Sequence, residues 1–144
     1  MTIGYTHTDF SALCACQTLR RSARAMTRRY NAALTSVDLK IGQFTTLAAL
    51  LQPDPVPITV LAEQLGMDRT TLTRDLKPLE RRGLVVSDSG SKDARQRRVT
   101  ISDAGRALMS RAVPLWEDAQ AETKKSMTDD QWADFRQGLQ TLVD

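Results

Sequence analysis

The sequence predicts a mainly α-helical fold with a small β-hairpin, namely a winged helix-turn-helix flanked by N- and C-terminal dimerisation helices. Two short helical patterns meet at a glycine, which is typical of a helix-turn-helix. Two β-branched runs follow, joined by a polar loop, and they predict a hairpin. Apolar residues recur at steps of three and four on both sides of this unit, so long helices are expected at both ends. All 144 residues are expected to form one domain.

The N-terminal pattern predicts one long helix over residues 10–37. Its apolar positions form a seam like that of a coiled coil. The seam consists of Cys16, Leu19, Ala23, Met26, Tyr30, Ala33 and Val37. A second helix is expected from Ile41 to about Leu51, because the three prolines of the following "QPDPVP" cannot continue it.

The stretch "ITVLAEQLGMDRTTLTRDLKPLERRGL" (58–84) predicts the helix-turn-helix. Thr59 is expected to cap its first helix, Gly66 to form the turn and Asp68 to cap its second helix. The inner face of that second helix is expected to carry Leu72, Leu76 and Leu79.

The runs "LVVSD" and "RRVTIS" predict the two strands of the hairpin. Ser102 is expected to cap a helix that reaches about Lys125 and that Pro114 kinks. Thr128 and Gln131 predict a capping box for a last helix. The apolar stripe of the last helix is Trp132, Phe135, Leu139 and Leu142.

Basic and acidic residues are unevenly distributed along this chain of net charge +3. Residues 11–37 contain five arginines and no acidic residue, whereas residues 117–144 contain seven acidic residues and three basic ones. Such segregation indicates a surface that faces a polyanion.

The sequence argues against an enzyme, a metal protein and a membrane protein. It has no glycine-rich phosphate loop and no Ser/His/Asp set. Its lone His7 and its Cys14-x-Cys16 pair lack zinc spacing, so no metal and no cofactor are expected. The longest apolar run, "LAALL", is too short to cross a bilayer, and the first ten residues lack the pattern of a secretion signal. A cytoplasmic location is therefore expected.

Basic residues on the second helix of the helix-turn-helix and on the hairpin predict binding to double-stranded DNA. The first turns of such a helix meet base edges in the major groove, while a basic hairpin reaches the minor groove. Asp93 is expected to hold the hairpin in shape. The predicted DNA-binding residues are Arg69, Thr70, Thr71, Thr73, Arg74 and Lys77 on the helix, and Lys92, Arg95 and Arg97 on the hairpin.

Two alternatives compete with this interpretation. The charged hairpin by itself is consistent with a solvated turn, and a winged helix can also serve as a protein-interaction module. A protein-binding second helix would be neutral or apolar on its outer face, whereas Arg69, Arg74, Lys77 and Arg81 make this one basic. The basic outer face favours DNA.

Four stretches of the chain resemble the MarR (multiple antibiotic resistance regulator) family of winged-helix transcriptional regulators. They are "LKIGQF" (39–44), "LAEQLGMDRTTLTRDLKPLERRGLV" (61–85), "DARQRRVTIS" (93–102) and "SDAG" (102–105). The resemblance implies an obligate homodimer with interlaced first, fifth and sixth helices, bound to a pseudo-palindromic operator. It also implies repression that a small molecule or thiol oxidation relieves, and a minor-groove position for Arg95. Residues 10–37 and 103–144 are then the dimerisation helices, and residues 41–101 are the DNA-binding core.

Cys16 is a candidate redox residue. The stretch "CQTLRRSARAMTRRY" resembles the organic-hydroperoxide-sensing branch of the family, in which a tyrosine, here Tyr30, hydrogen-bonds the reactive thiol. Arg20 and an early position in the helix favour the thiolate. However, the second tyrosine of that branch is replaced by Ile41, and packing of Cys16 in the apolar seam is the favoured alternative. Cys14 is expected to point about 200° away from Cys16 on the helix and not to join it.

Three arginines at steps of four, Arg20, Arg24 and Arg28, share one face of the first helix. The resemblance implies an effector, often an aromatic acid, between the helical arms and the winged helix, and these arginines are candidate contacts for its carboxylate. Solvated arginines, or salt bridges to the acidic C-terminal helices of a partner subunit, are the favoured alternative.

Overall fold

The computed structural model of the chain describes residue 4, residues 6–88 and residues 97–143. Seven α-helices and three strands follow one another in these parts of the chain. The helices are α1 (His7–Leu13), α2 (Ala15–Ala33), α3 (Ile41–Ala49), α4 (Ile58–Gln64), α5 (Arg69–Arg81), α6 (Asp103–Lys124) and α7 (Asp129–Thr141). The strands are β1 (Val56–Pro57), β2 (Val85–Ser87) and β3 (Arg98–Ile101). None of the described helices is long and apolar enough to span a membrane.

The prediction of one continuous helix over residues 10–37 is wrong at both ends. The extended backbone of Cys14 (φ −81°, ψ 102°) separates α1 from α2. Helix α2 ends at Ala33 and is followed by a 3₁₀ turn, Thr35–Val37. After this turn Asp38 adopts a left-handed conformation (φ 51°), which redirects the chain into α3.

The helix-turn-helix consists of α4 and α5. Its turn at Gly66 has a φ of +62°, a conformation that glycine adopts without a steric penalty, so the predicted turn is confirmed. The cap of α5 by Asp68 is confirmed as well, because its carboxylate accepts a hydrogen bond from the backbone N–H of Thr71 at 2.8 Å. Helix α4 begins two residues earlier than predicted, with Pro57 rather than Thr59 at its N-cap.

The predicted hairpin is confirmed and belongs to a three-stranded antiparallel sheet with the order β1-β3-β2. Ser87 of β2 is paired with Val99 of β3, and Val99 is paired with Val56 of β1 on its other side. Strand β1 was not predicted, because the prolines around it indicate a break after α3 rather than a strand. Since Val56, Val85, Val99 and Ile101 are all buried, the sheet rests on the same core as the helices.

The core joins the helix-turn-helix to the long C-terminal helix. The inner face of α5 is buried as predicted, with Leu72 and Leu76 fully inaccessible. Leu108, Met109 and Ala112 of α6 belong to the same cluster. The caps of the last two helices are also confirmed, since Ser102 accepts from the Gly105 N–H and Thr128 forms a capping box with Gln131.

Candidate nucleic-acid interface

The recognition helix α5 begins with a hydrogen-bonded cap that uses one of the predicted DNA-binding residues. Thr71 donates its N–H to the Asp68 carboxylate at 2.8 Å and its hydroxyl at 2.6 Å. These two hydrogen bonds, first that of the hydroxyl and then that of the N–H, lower the pKa of Asp68. Thr71 therefore fixes the start of α5, and its hydroxyl proton is already donated.

The exposed side of α5 presents the other predicted residues to solvent. Arg69, Thr70, Arg74 and Lys77 are exposed, whereas Thr73 is half-buried and its hydroxyl donates to the carbonyl oxygen of Arg69 at 2.8 Å. Thr73 can thus offer its methyl group to a ligand more readily than its hydroxyl. Arg74 is the one of these cations with a carboxylate close by among the described residues, as its Nε lies 3.3 Å from Asp75.

These side chains line a groove between α5 and the base of the wing, the hairpin built on β2 and β3. The residues that line it are Ile58, Arg69, Thr70, Thr73, Arg74, Lys77 and Arg97. Four of the seven are cations, and the apolar Ile58 at the start of α4 was not singled out from the sequence. A concave basic surface next to a helix N-terminus suits a phosphate backbone and exposed base edges.

The base of the wing is tied to the last turn of α5 through Arg97. Its guanidinium forms an ion pair with Glu80 and donates to the hydroxyl of Ser87 at 2.8 Å. Arg97 was predicted as a DNA contact, and the structure instead occupies its guanidinium within the protein. The neighbouring Arg98 is exposed and was not among the predicted contacts. The predicted wing residues Lys92, Asp93 and Arg95 lie outside the described residues.

Arg82, just beyond α5, is directed towards the N-terminal arm, which consists of α1, α2 and the 3₁₀ turn that follows them (residues 7–37). Its Nη1 donates to the carbonyl oxygen of Asp38 at 2.7 Å, and its Nη2 lies 3.7 Å from the carboxylate of Asp38. This contact joins the C-terminal end of the recognition helix to the junction between the N-terminal arm and α3.

The cysteines depart from the predictions in three ways. Both thiols are exposed in the single chain, so Cys16 does not pack in an apolar seam within one protomer, and its packing against a second copy stays a prediction. Because Cys14 lies between two helices in an extended conformation, the predicted angle of about 200° between Cys14 and Cys16 on one continuous helix does not apply. Tyr30 lies fourteen residues beyond Cys16 on the same helix, about 21 Å along its axis at 1.5 Å per residue, and donates to Gln120 instead. The predicted Tyr30–Cys16 hydrogen bond is therefore impossible within one chain.

The predicted anion-binding arginines are exposed on α2. Arg20 and Arg24 line a shallow concavity together with Cys14, Cys16, Gln17 and Arg21, whereas Arg28 lies outside it. No salt bridge to Arg20, Arg24 or Arg28 occurs within the described parts of the chain. In the same parts, no group of three His, Cys, Asp or Glu side chains is placed to hold a metal ion.

Transcriptional regulators of known structure resemble this chain in sequence and in fold. The sequence profile of the MarR family matches residues 39–96. The DNA complex of the M. tuberculosis transcriptional regulator MosR is 40% identical with a TM-score of 0.81, covering 90% of this chain and 93% of that one. A cysteine variant of MarR from E. coli in complex with operator DNA is 23% identical with a TM-score of 0.81, covering 94% of this chain and 98% of that one, and this likeness shows the fold alone.

A curated relative was found over a shorter region. The organic hydroperoxide resistance transcriptional regulator of Bacillus subtilis (strain 168) is 29% identical over 100 residues, which are 69% of this chain and 68% of that protein. The fold that contains the wing and the recognition helix is therefore shared with transcriptional regulators.

Proposed function

Because the chain belongs to the MarR family of transcriptional regulators and is not an enzyme, we propose that it acts as a homodimer that binds a pseudo-palindromic operator in double-stranded DNA and represses the neighbouring genes. The basic groove along α5 carries this proposal. It presents exposed cations along the helix that we expect to enter the major groove, and the 40% identical regulator MosR is described in complex with DNA. A transcriptional regulator acts on the chromosome, so we place it in the cytoplasm of a bacterial cell.

In this proposal the recognition helix α5 contacts base edges in the major groove, and the wing binds in the adjacent minor groove. Arg69, Thr70 and Arg74 lie on the first two turns of α5, the part that meets base edges when such a helix enters the major groove. Lys77, one turn further along, contacts phosphate. Arg95 is proposed to contact the minor groove, since a narrow A·T-rich groove attracts arginine, and Lys92 is proposed as a further DNA contact and Asp93 as the residue that stabilises the wing.

Dimerisation is proposed from the apolar surface of the C-terminal helix and of the N-terminal arm. No residue of α7 is buried, although Trp132, Phe135 and Leu139 lie along one side of it. At its end Leu142 is 68% exposed. A second copy would cover this surface with residues 10–37 and 103–144 and would place two recognition helices about one turn of DNA apart.

The proposal is tested by titrating reduced protein against a labelled duplex from the region upstream of its own gene and against an unrelated duplex, at several salt concentrations. We expect tighter binding to the upstream duplex, and a steep loss of affinity with salt. Arg69→Ala, Arg74→Ala and Arg95→Ala should each weaken specific binding by roughly tenfold or more.

Arg111→Ala is the matched control, because Arg111 is an exposed arginine on α6 outside the groove. Equal binding to both duplexes, followed by a genome-wide selection that enriches no sequence, would contradict the proposal and favour a protein-interaction module.

We propose two ways in which the protein is released from DNA. Both use the shallow concavity on α2 that Arg20 and Arg24 line together with Cys16. In the first, an aromatic acid binds there, and the guanidinium groups of Arg20 and Arg24 pair with its carboxylate. Arg28 faces solvent outside this concavity and is a weaker candidate contact. Aromatic acids that release wild-type protein from DNA, but release Arg24→Ala at higher concentrations only, would support this mode. Equal release of both proteins would contradict it.

In the second mode, Cys16 reacts with an organic hydroperoxide. The thiolate takes one oxygen atom to become a sulfenate, and the peroxide leaves as its alcohol. The exposed thiol next to Arg20 favours this mode. Peroxide should release wild-type protein and Cys14→Ser from DNA and leave Cys16→Ser bound, whereas release of Cys16→Ser would contradict the proposal.

A further inference from the structure

We propose that Glu80, Ser87 and Arg97 form a positioning cluster that sets the wing relative to the recognition helix, and that Arg97 acts inside the protein rather than on phosphate. This inference rests on the proposed DNA-binding function. It assigns Glu80 and Ser87 a part in operator recognition although neither residue belongs to the basic surface.

The three side chains come from three separate elements. Glu80 lies on the last turn of α5, Ser87 is the last residue of β2, and Arg97 directly precedes β3. Arg97 Nη2 donates both to Glu80 Oε1 and to Ser87 Oγ, while the Ser87 hydroxyl also donates to Glu80 Oε1. Each pair in the cluster is therefore hydrogen-bonded, and each of the three bonds has a charged group at one or both ends.

The cluster is partly shielded from water, which strengthens it relative to a surface ion pair. The side chains of Arg97 and Glu80 are 25% and 27% exposed. By contrast, the side chains of Lys125 and Glu122 form an ion pair at 2.6 Å that is 72% and 61% exposed. Exposed pairs of that kind contribute little, whereas loss of one partner from a shielded pair leaves an unpaired charge.

Ser87 and Arg97 flank the wing segment, residues 88–96, on its two sides. The backbone carbonyl of Arg97 also accepts from the N–H of Ile58, at the start of α4, at 2.9 Å. The N–H of Asp88 donates to the carbonyl of Arg98 at 2.9 Å. Arg97 is thus bonded to both helices of the helix-turn-helix, by its backbone to α4 and by its side chain to α5.

This arrangement affects specific binding more than non-specific binding. A specific complex requires the recognition helix and the wing to reach adjacent grooves together, and a wing fixed in advance avoids the cost of ordering it on binding. Non-specific binding depends on the number of cations that neutralise phosphates. Because the guanidinium of Arg97 is already paired with Glu80, it neutralises no phosphate unless that ion pair breaks.

The test uses the double variant Glu80→Gln/Arg97→Gln, which removes the ion pair without changing the net charge. Its matched control is Glu122→Gln/Lys125→Gln, which removes the exposed pair at the C-terminal end of α6, and sedimentation equilibrium establishes that both double variants have the oligomeric state of wild type. Affinities are measured for the operator duplex and an unrelated duplex over a range of salt concentrations. Stoichiometric titration gives the active fraction of each protein, so that any unfolded protein is discounted.

We expect the double variant to lose roughly tenfold in operator affinity, while its affinity for the unrelated duplex and its salt slope stay unchanged. The control should match wild type on both duplexes. A fall of about 0.9 in the salt slope on both duplexes would show that Arg97 neutralises a phosphate and would overturn the proposal. Unchanged affinity for both duplexes would overturn it as well.

Ser87→Ala provides a milder variant if the double variant does not fold. It removes one hydroxyl and no charge, and it should lower operator affinity alone, by a smaller factor. Equal affinities of Ser87→Ala and wild type for the operator would then overturn the proposal. If wild-type protein itself does not distinguish the operator from the unrelated duplex, the proposed function fails, and the positioning role fails with it.

Discussion

Gly105, on the first turn of α6, lies directly against the backbone of Leu84, the residue that precedes strand β2 of the wing. A Cβ atom added to Gly105 would lie 2.3 Å from the carbonyl oxygen of Leu84 and 2.6 Å from Cγ1 of Ile101. The same carbonyl accepts the N–H of Ser102 at 3.0 Å, so it cannot move away without loss of that hydrogen bond. The start of α6 is thus held against the wing at a distance that only glycine permits.

Gly105→Ala should therefore destabilise the protein by about 1–3 kcal/mol, the cost of overpacking a site that cannot expand. Chemical denaturation at equilibrium measures the effect. Gly42→Ala is the control, because Gly42 lies within α3 and the added Cβ would meet no atom within 4 Å beyond its chain neighbours and the backbone of its own helix. That substitution should stabilise the protein by about 0.5–1 kcal/mol through helix propensity. Equal effects of the two substitutions would contradict the steric argument.

The cap of the recognition helix should make stability depend on pH through Asp68. Hydrogen bonds from Thr71 lower the pKa of this carboxyl below its ordinary value of 3.8. A lowered pKa in the folded state stabilises the protein fully above pH 3.8, and this contribution disappears as the pH falls through the folded-state pKa. Asp68→Ala should thus lower the unfolding temperature at pH 7 and approach wild type at pH 2–3.

Thermal unfolding followed by circular dichroism between pH 2 and pH 7 measures this difference. Asp54→Ala is the control, since Asp54 is an exposed carboxylate in the loop after α3. It should change the unfolding temperature little at any pH. A difference between wild type and Asp68→Ala that persists undiminished at pH 2 would show that the carboxylate charge is not what stabilises the cap.

The position of Arg97 was predictable from the sequence, whereas its partner was not. In "RRVTIS" alternate residues of a strand share one face, so Arg97 lies on the same side as the buried Val99 and Ile101, and Arg98 lies on the other. Charge alone predicts a DNA contact for Arg97, whereas this alternation directs its side chain towards the protein. Glu80 follows the buried Leu79 in a basic stretch, and local sequence does not indicate which cation its carboxylate meets.

The helix-turn-helix and its caps were predicted because their signals are local: a glycine in the turn, Asp68 before the helix and leucines at helical spacing. The break at Cys14 carries no such signal, since neither proline nor glycine occurs between Ser11 and Val37. Strand β1 was missed because its two residues form a strand only through pairing with β3, more than 40 residues away. Long-range pairing of this kind is absent from any local pattern.

The left-handed conformation of Asp38 predicts an ordering of two variants. Any residue with a Cβ is strained at a φ of 51°, and glycine is not. Asp38→Gly and Asp38→Ala both keep the carbonyl oxygen that accepts from Arg82 at 2.7 Å, and both lose the same carboxylate. The comparison therefore isolates the backbone.

Asp38→Gly should be more stable than Asp38→Ala by about 1 kcal/mol. Equilibrium denaturation in guanidinium chloride provides the measurement. Asp54→Gly and Asp54→Ala serve as a control pair at a position without a positive φ. If Asp38→Ala were as stable as Asp38→Gly, the junction would adopt a different backbone conformation in solution.

The apolar side of α7 should determine the oligomeric state. Trp132 and Phe135 lie 5.7 Å apart between ring centroids on a helix without a buried residue, and Leu139 continues their row. Leu139→Asp places a charge in the centre of the proposed interface, where it would lose its hydration on association. Sedimentation equilibrium should then give a mass near 16.0 kDa for this variant and about twice that value for wild type.

Thr141→Asp adds the same charge at an exposed position of α7 away from Trp132 and should remain dimeric. A wild-type mass of 16.0 kDa at micromolar concentration, or a dimeric Leu139→Asp, would contradict the interface.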